Sequence, residues 1–293
     1  MSTKTFPDEI AKERLGVLAS QGVHHPLHSK GFLIDVDGVI CRGMELITGA
    51  DVVLEKLRDG NKKTIFVSNN STKSPKLYRK KLLQLGINVE KDELVLATVA
   101  AAEYIRNKHP NALVYVVGDV GLEETLLEYD LKPTEKPGEA NFVVVGNPFA
   151  RNGKLRKNND GKITGAVRAI LEGGAEFVAV NADTIFPTEE GPVPATGAIV
   201  KAIAHATGSS PDLVAGKPRG QITSLALERL NLSPDECALI GDSKVDMIAA
   251  RNAGLKSIFV RTGAGREKEL EKDNIYPDFT LDSIRDILKV DDF

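Results

Sequence analysis

The sequence is poor in cysteine, in long apolar runs and in net charge, and each shortage excludes a class of protein. Its two cysteines, Cys41 and Cys237, lie far apart and form no C-x-x-C pair, so neither a disulfide framework nor a zinc site is indicated. No apolar run reaches about 18 residues, the length needed for a helix that crosses a membrane. The formal net charge of −3 argues against a nucleic-acid partner bound by strong electrostatic attraction.

The N-terminal segment does not have the pattern of a signal peptide. Residues 1–29 contain several charged side chains and lack the apolar core of a signal peptide, so we expect an N-terminal extension of a cytoplasmic protein. A chain of 293 residues is long for a single hydrophobic core, which favours two domains.

Strand and helix signals alternate along most of the chain. Short apolar runs such as Gly31–Ile34 and Thr64–Val67 are typical of buried strands. Helix signals follow them: Ser74-Pro75 is a cap followed by proline in the first turn, and Gly86 ends that segment. This alternation predicts an α/β fold, a doubly wound, Rossmann-like parallel sheet covered by helices.

The first polar cluster is Asp35-Val36-Asp37-Gly38, directly after the strand Gly31–Ile34. Alternation along an extended chain sends Asp35 and Asp37 to roughly the same side. Two carboxylates in such a place are costly to bury without a cation or a proton, so they suit a hard cation such as Mg²⁺. Gly38 allows a tight turn and a close approach to a ligand. Taken alone, the pattern is equally consistent with a solvated turn.

Three more polar clusters follow predicted strands. They are Ser68–Ser71, Gly216–Pro218 and Gly241–Asp246. In an open parallel sheet, ligands bind outside the carboxyl ends of the strands. We therefore expect all four clusters to converge on one crevice.

The residue types in these clusters suit phosphoryl transfer. A phosphate monoester is an anion, so carboxylates can act on it only if positive charge intervenes. Mg²⁺ held by Asp35, Asp242 and a backbone oxygen near Asp37 would supply that charge. Asp35 could then attack phosphorus, while Asp37 gives a proton to the leaving oxygen and later takes one from water.

Positive charge and hydrogen-bond donors complete the predicted site. Lys217 would place a fixed ammonium against the phosphate. The Ser68 hydroxyl and the backbone N–H groups near Asn69 can donate to the phosphate oxygens.

The four clusters, in this order, resemble the four motifs of the haloacid dehalogenase (HAD)-like hydrolase superfamily. Residues 66–74, and Asn181-Ala182-Asp183 followed by residues 194–198, resemble its class IIA, the p-nitrophenyl phosphatase or NagD-like branch. The resemblance implies a Mg²⁺-dependent phosphatase that works through an aspartyl-phosphate. The implied catalytic residues are Asp35 as nucleophile and Asp37 as acid/base, the implied phosphate-binding residues are Ser68, Asn69 and Lys217, and the implied metal ligands are Asp35, Asp37 and Asp242, with Asp246 in support.

The spacing of the motifs predicts where a second domain is inserted. The short interval from Asp35 to Ser68 has no room for a domain, whereas the interval from Asn69 to Lys217 does. We predict a discontinuous catalytic core, residues 30–96 and 206–293, interrupted by an α/β cap at residues 97–205. This matches the C2-type cap of class IIA, and members of the family often form homodimers through their caps.

Two parts of the predicted cap have alternative interpretations. Asn181 and Asp183 could contact the substrate or act at a hinge, or could merely brace the loop that leads to Pro187. The basic stretch 151–162 could be an exposed mobile loop or a rim that attracts anions.

Other functions use similar residues. A receiver-like signalling protein also combines strand-end acids, Ser or Thr, and Lys around Mg²⁺, but it needs no second acid such as Asp37 and carries no large insertion. Carbon–halogen hydrolysis, also known in the superfamily, does not require the pair Asp37 and Asp242. The expected partner is a small phosphorylated metabolite. Sugar phosphates, phosphoglycolate, glycerol phosphate, nucleotides and pyridoxal phosphate remain open as substrates.

Overall fold

The computed structural model describes residues 26–150, 152–188 and 191–289, and it divides the chain into two compact units. The first unit combines Met1–Phe66 with Leu227–Phe293, and the second is Val67–Ala226. The boundaries expected from the motifs, with a cap at 97–205 between core segments 30–96 and 206–293, stay a prediction. The same holds for the N-terminal extension 1–29, of which residues 1–25 lie outside the described residues.

The strands and helices alternate along the chain as the sequence predicts. The strands are β1 (Gly31–Asp35), β2 (Cys41–Arg42), β3 (Glu45–Leu46), β4 (Lys63–Ser68), β5 (Leu94–Leu96), β6 (Leu113–Val117), β7 (Lys132–Thr134), β8 (Phe142–Val145), β9 (Glu176–Ala179), β10 (Ile185–Thr188), β11 (Gly191–Pro194), β12 (Leu213–Val214), β13 (Cys237–Gly241), β14 (Lys256–Val260) and β15 (Phe279–Leu281). The α-helices are α1 (Ala50–Asp59), α2 (Pro75–Gln84), α3 (Ala97–Lys108), α4 (Val120–Glu128), α5 (Lys162–Leu171), α6 (Thr196–Thr207), α7 (Gly220–Leu230), α8 (Lys244–Ala253) and α9 (Glu267–Lys272).

The first unit is built on a sheet in which β15, β14, β13, β1 and β4 lie side by side in that order. The pairs β1–β13, β13–β14 and β14–β15 are parallel. Every residue of β1 and of β13 is buried, which is typical of central strands in a parallel sheet covered on both faces. Ile34 is paired with Ile240, so β1 and β13 end at the same edge of this sheet.

The second unit has a parallel sheet of its own, in the order β12, β9, β8, β6 and β7. Side chains of β6, β8 and β9, among them Val117, Val145 and Phe177, pack against α5 and α6 in its hydrophobic core, to which α6 contributes Ile203. An antiparallel hairpin, β10–β11, precedes α6. The predicted α/β class with parallel sheets is confirmed.

Residues 152–162, the described part of the basic stretch 151–162, are held in place within the second unit by several contacts. Arg156 forms an ion pair with Asp119 at 2.8 Å, and Lys162 forms one with Glu135 at 2.7 Å. The buried Asn159 side chain bonds both the N–H and the C=O of Gly118. Because Arg156 and Lys162 are neutralised by carboxylates, those two residues contribute little to a rim that attracts anions.

The expectations about membrane-spanning helices and about the two cysteines can be compared with the described part of the chain. Each helix within it is too short or too polar to cross a bilayer. Cys41 and Cys237 are both buried, and burial raises the pKa of the Cys237 thiol to about 11. Cys237, the first residue of β13, is thus a small apolar core residue.

Candidate active site

Three carboxylates of the first unit meet at the edge of the sheet where β1 and β13 end. Asp35 is the last residue of β1, Asp242 follows β13, and Asp246 lies in the first turn of α8. Each of the three offers a carboxylate oxygen within 4.8 Å of the others. Their exposed fractions are only 7% for Asp35, 6% for Asp242 and 1% for Asp246. The strand-end geometry expected from the sequence is therefore present within this unit.

Hydrogen bonds hold two of these carboxylates in place. The Asp246 carboxylate accepts bonds from the Ser243 N–H at 3.1 Å and the Ser243 hydroxyl at 2.5 Å, in a capping box that begins α8. The Asp242 carboxylate accepts a bond from the Ala264 N–H at 2.8 Å. These donors orient the oxygens, but they do not remove the repulsion among three buried negative charges.

The donor set fits a divalent metal ion. Buried carboxylates are rarely left without compensation, and hard cations take carboxylate oxygens as ligands. The sequence placed Asp35, Asp37 and Asp242 at the metal and Asp246 behind them. The side-chain cluster instead contains Asp246 and lacks Asp37, whose side chain is exposed. The ligand expected from Asp37 was a main-chain oxygen, so its role stays a prediction.

Gly38 brings the chain after β1 close to Asp242. Its φ is +96°, and a Cβ there would lie 2.5 Å from an Asp242 carboxylate oxygen and 2.9 Å from the Gly263 Cα. Only glycine suits this position, since any other residue would have a strained backbone and a Cβ that clashes with Asp242.

The loop after β14 is a part of the site that the sequence reasoning missed. Ala264 donates to Asp242, and a Cβ at Gly263 would overlap the Asp242 side chain. Thr262 also donates to the carbonyl of Gly38 at 2.6 Å. The signal that could have revealed this loop is its T-G-A-G sequence, which begins two residues after the end of a buried strand.

The predicted phosphate-binding residues lie in the second unit. Ser68 is buried, and its Oγ accepts hydrogen bonds from the Asn70 N–H and from the Tyr78 hydroxyl, both at 3.2 Å. A serine hydroxyl has two acceptor positions and one proton to donate. With both acceptor positions occupied, the Ser68 proton is oriented for donation to another group, such as an anion.

Lys217 is buried, with 3% of its surface exposed, and Asn69 contacts its backbone. The Lys217 N–H donates to Asn69 Oδ1 at 2.8 Å, and Asn69 Nδ2 donates to the Lys217 carbonyl at 3.0 Å. The strand before Lys217 is β12, which pairs with β9. The expectation that all four polar clusters follow strands of one sheet is therefore wrong for Lys217, and their convergence on one crevice stays a prediction.

Asn181 and Asp183 contact the same asparagine. The Asn181 side chain donates to the Asn69 carbonyl at 2.7 Å, and Asn69 Nδ2 donates to Asp183 Oδ1 at 3.1 Å. Asn181 Oδ1 also accepts a bond from the Asp183 N–H at 3.1 Å. These contacts brace the segment after β4, whereas the predicted contact with substrate stays a prediction.

Comparison with known proteins identifies the family. A model described as haloacid dehalogenase-like hydrolase matches residues 32–132, and one described as HAD-hydrolase-like matches residues 214–287. An acid sugar phosphatase of Staphylococcus epidermidis is 33% identical over 255 residues, covering 87% of this chain and 95% of that protein. The sugar-phosphatase AraL of Bacillus subtilis is 32% identical, covering 90% and 94%.

A solved structure extends the similarity to the fold. The p-nitrophenyl phosphatase from Archaeoglobus fulgidus superposes with a TM-score of 0.83 at 37% identity, covering 89% of this chain and 98% of that one. The family expected from the four motifs is confirmed. With its buried carboxylate cluster and its near-complete coverage of these relatives, the chain belongs to the haloacid dehalogenase-like hydrolases, in their class IIA phosphatase branch.

Proposed function

We propose that this protein is a Mg²⁺-dependent phosphatase that hydrolyses a small phosphate monoester through an aspartyl-phosphate. The observation that carries the proposal is the cluster of three buried carboxylates, Asp35, Asp242 and Asp246, at the end of β1 and β13. Similarity to proteins named phosphatases over almost the whole chain supports the same reaction.

The metal site and the nucleophile share the first unit. Asp35 and Asp242 would hold Mg²⁺, together with Asp246 or the main-chain oxygen of Asp37. The bound ion supplies the positive charge that lets an anionic ester approach these carboxylates. In the first step an Asp35 oxygen bonds to phosphorus, the bond from phosphorus to the ester oxygen breaks, and Asp37 protonates the departing alcohol.

The second step regenerates the enzyme. Asp37 takes a proton from a water molecule, whose oxygen attacks the phosphorus of the aspartyl-phosphate. The bond between phosphorus and Asp35 breaks, inorganic phosphate leaves, and the Asp35 carboxylate is restored. The exposure of the Asp37 side chain suits a group that exchanges protons with a leaving group and with water.

The residues of the second unit would bind the transferred phosphoryl group. The Ser68 hydroxyl has its acceptor positions occupied and its proton available, and Lys217 brings a positive charge. Together they would neutralise the charge that develops on the phosphate oxygens.

Sugar phosphates are the first substrate class to test, because two similar proteins are named sugar phosphatases. Phosphoglycolate, glycerol phosphate, nucleotides and pyridoxal phosphate belong in the same panel. A cytoplasmic location and a homodimer remain predictions from the sequence.

The test is turnover of p-nitrophenyl phosphate and of the metabolite panel by purified protein. We expect activity with Mg²⁺, its loss in EDTA and its recovery when Mg²⁺ is restored. Asp35→Asn should abolish turnover while the circular dichroism spectrum stays that of wild type. Asp59→Asn, an exposed acid at the end of α1, is the matched control and should keep full activity.

The same assay separates the proposal from a receiver-like phospho-acceptor. An acceptor would release at most one equivalent of alcohol per protein molecule and then stop. Sustained turnover by wild type that disappears in Asp35→Asn supports the phosphatase. Undiminished turnover by Asp35→Asn, or by protein freed of divalent ions, would remove Asp35 or the metal from the mechanism.

A further inference from the structure

We propose that Asn69 is a positioning residue that holds Lys217 in place, and that Asp183 in turn fixes the orientation of the Asn69 side chain. This inference rests on the proposed function, because it assigns Lys217 to the phosphate. It adds to the sequence-based expectation, in which backbone N–H groups near Asn69 contact the phosphate and Asp183 contacts substrate, acts at a hinge or braces its loop. All the contacts that carry it lie within the second unit.

The Asn69 amide is used by the protein itself. Its Oδ1 accepts from the Lys217 N–H at 2.8 Å, and its Nδ2 donates both to the Lys217 carbonyl at 3.0 Å and to Asp183 Oδ1 at 3.1 Å. A side-chain amide has two N–H donors. Both are committed to Lys217 and Asp183, so the side chain of Asn69 has no N–H left for a phosphate oxygen.

Asp183 determines which way the amide faces. An ionised carboxylate only accepts hydrogen bonds, so it selects the Nδ2 end of Asn69 and turns Oδ1 toward the Lys217 N–H. Asp183 is itself held, because its N–H donates to Asn181 Oδ1 and its carbonyl accepts from the Gly197 N–H at 2.8 Å. The orientation of the amide is thus set by a braced acceptor.

The backbone around this contact is closely packed. A Cβ at Gly216 would lie 2.6 Å from Asn69 Oδ1 and 3.0 Å from the Val180 carbonyl. The Asn181 side chain also bonds the Asn69 carbonyl at 2.7 Å. Three segments far apart in sequence, around residues 69, 181–183 and 216–217, are therefore tied together by one asparagine. Because the backbone of Lys217 is fixed there, the reach of its ammonium depends on Asn69.

Variants of Asn69 and Asp183, first one alone and then both exchanged, test the proposal. Asn69→Asp keeps the size of the residue but sets a carboxylate against both the Lys217 carbonyl and Asp183. We expect kcat/KM to fall about 10- to 100-fold, as is typical when a residue that orients an active-site group is changed. The inhibition constant of inorganic phosphate should rise with it.

The double variant Asn69→Asp/Asp183→Asn restores a donor opposite the new carboxylate. We expect it to recover about 5- to 10-fold of the lost kcat/KM, the size of coupling usual for residues in direct contact. If the side chain of residue 69 contacted phosphate, no recovery would be expected, because the carboxylate at position 69 would still repel the anion.

Asn159→Asp is the matched control. Asn159 makes the same kind of paired contact, with the N–H and C=O of Gly118, in the same unit and fully buried. Its substitution should lower the melting temperature but leave kcat and phosphate inhibition close to wild type. This control separates positioning from a general loss of stability.

The outcomes decide the matter. Wild-type kcat/KM in Asn69→Asp, or a double variant no better than Asn69→Asp, would overturn the proposal. If Asn69→Asp does not fold, Asp183→Ala replaces it: weaker inhibition by inorganic phosphate is expected, and unchanged inhibition and kcat would overturn the proposal. Failure of the proposed function is recognised separately, because Asp35→Asn would then retain turnover in the same assay.

Discussion

The carboxylate cluster of the first unit and the asparagine-centred network of the second unit are both polar, but they are satisfied in opposite ways. Asp35, Asp242 and Asp246 present like charges to one another within 4.8 Å. Around Asn69, by contrast, each donor described above meets an acceptor: the N–H of Lys217, the Nδ2 of Asn69 and the Nδ2 of Asn181 all have partners.

This difference distinguishes residues that bind a ligand or react from residues that hold other groups in position. A cluster of repelling carboxylates costs stability unless a cation binds, so its presence indicates a ligand. A hydrogen-bond network in which donors and acceptors are matched stabilises one arrangement of its side chains without a ligand. Substitutions of the three carboxylates should therefore remove activity with little loss of fold, whereas substitutions of Asn69 and Asp183 should act through the position of Lys217.

After the loss of turnover expected for Asp35→Asn, the largest effect is expected for Lys217→Ala. We expect a rate loss of about 10²- to 10³-fold, because the substitution removes the ammonium that we propose to bind the phosphate. Lys162→Ala is the matched control, since Lys162 is also a buried lysine of the second unit and forms an ion pair with Glu135. Steady-state kinetics of both variants check the comparison, and similar rates for the two would contradict the role of Lys217.

The second prediction concerns stability rather than rate. Asp242→Asn removes one of three repelling charges, so in EDTA its melting temperature should exceed that of wild type by about 2–4 °C. Added Mg²⁺ should stabilise wild type by about 2.7 kcal/mol at a hundredfold excess over its dissociation constant, and the variant by much less. Thermal melts with and without Mg²⁺ measure both effects. Equal stabilisation of the two proteins would show that Asp242 does not bind the ion.

A smaller effect is expected from Tyr78→Phe. Loss of the hydroxyl that donates to Ser68 should lower kcat/KM about 3- to 10-fold, the equivalent of one hydrogen bond. The loss should disappear in a Ser68→Ala background, because the tyrosine acts through the serine. Tyr115→Phe, another buried tyrosine of the same unit, serves as control. An undiminished loss in the Ser68→Ala background would assign Tyr78 another role.

The smallest effect belongs to a charge pair that serves neither network. Lys30 donates to Glu236 at 2.7 Å and lowers the pKa of Glu236 from 4.5 to about 2. Because the folded-state pKa lies below the unfolded value, the stabilisation is present above pH 4.5 and is lost as the pH falls through about 2. Glu236→Gln should therefore melt slightly below wild type at neutral pH, and the difference should vanish near pH 2 and shrink in high salt. A constant difference at all pH values would contradict the assignment.

Much of the fold and of the first unit's site could be predicted, because the signals are local. The apolar run Gly31–Ile34 ends abruptly at Asp35, and Ala238–Ile240 ends just before Asp242, so the edge of a parallel sheet brings the two acids together. Asp246 was expected only in support. Its place among the three carboxylates depends on the capping box with Ser243, which turns it back toward β13.

Other contacts leave no local signal. The bond from Ala264 to Asp242 depends on how a loop after β14 folds back, and the bond from Asn69 to Lys217 joins residues 148 positions apart. The pairing of β12 with β9 likewise places the strand before Lys217 in the sheet of the second unit, which its motif did not reveal. Such choices follow from packing among segments that are remote in the chain, and side-chain periodicity carries no information about them.

The amino-acid order by itself determined the alternation of strands and helices, the acids at strand ends and the family, because short-range periodicity and motif spacing encode them. The tertiary structure alone decided which carboxylates meet, which sheet precedes Lys217 and what Asn69 contacts. The physical reason is that hydrogen bonds and charge repulsion act over a few ångströms in space, whatever the distance along the chain.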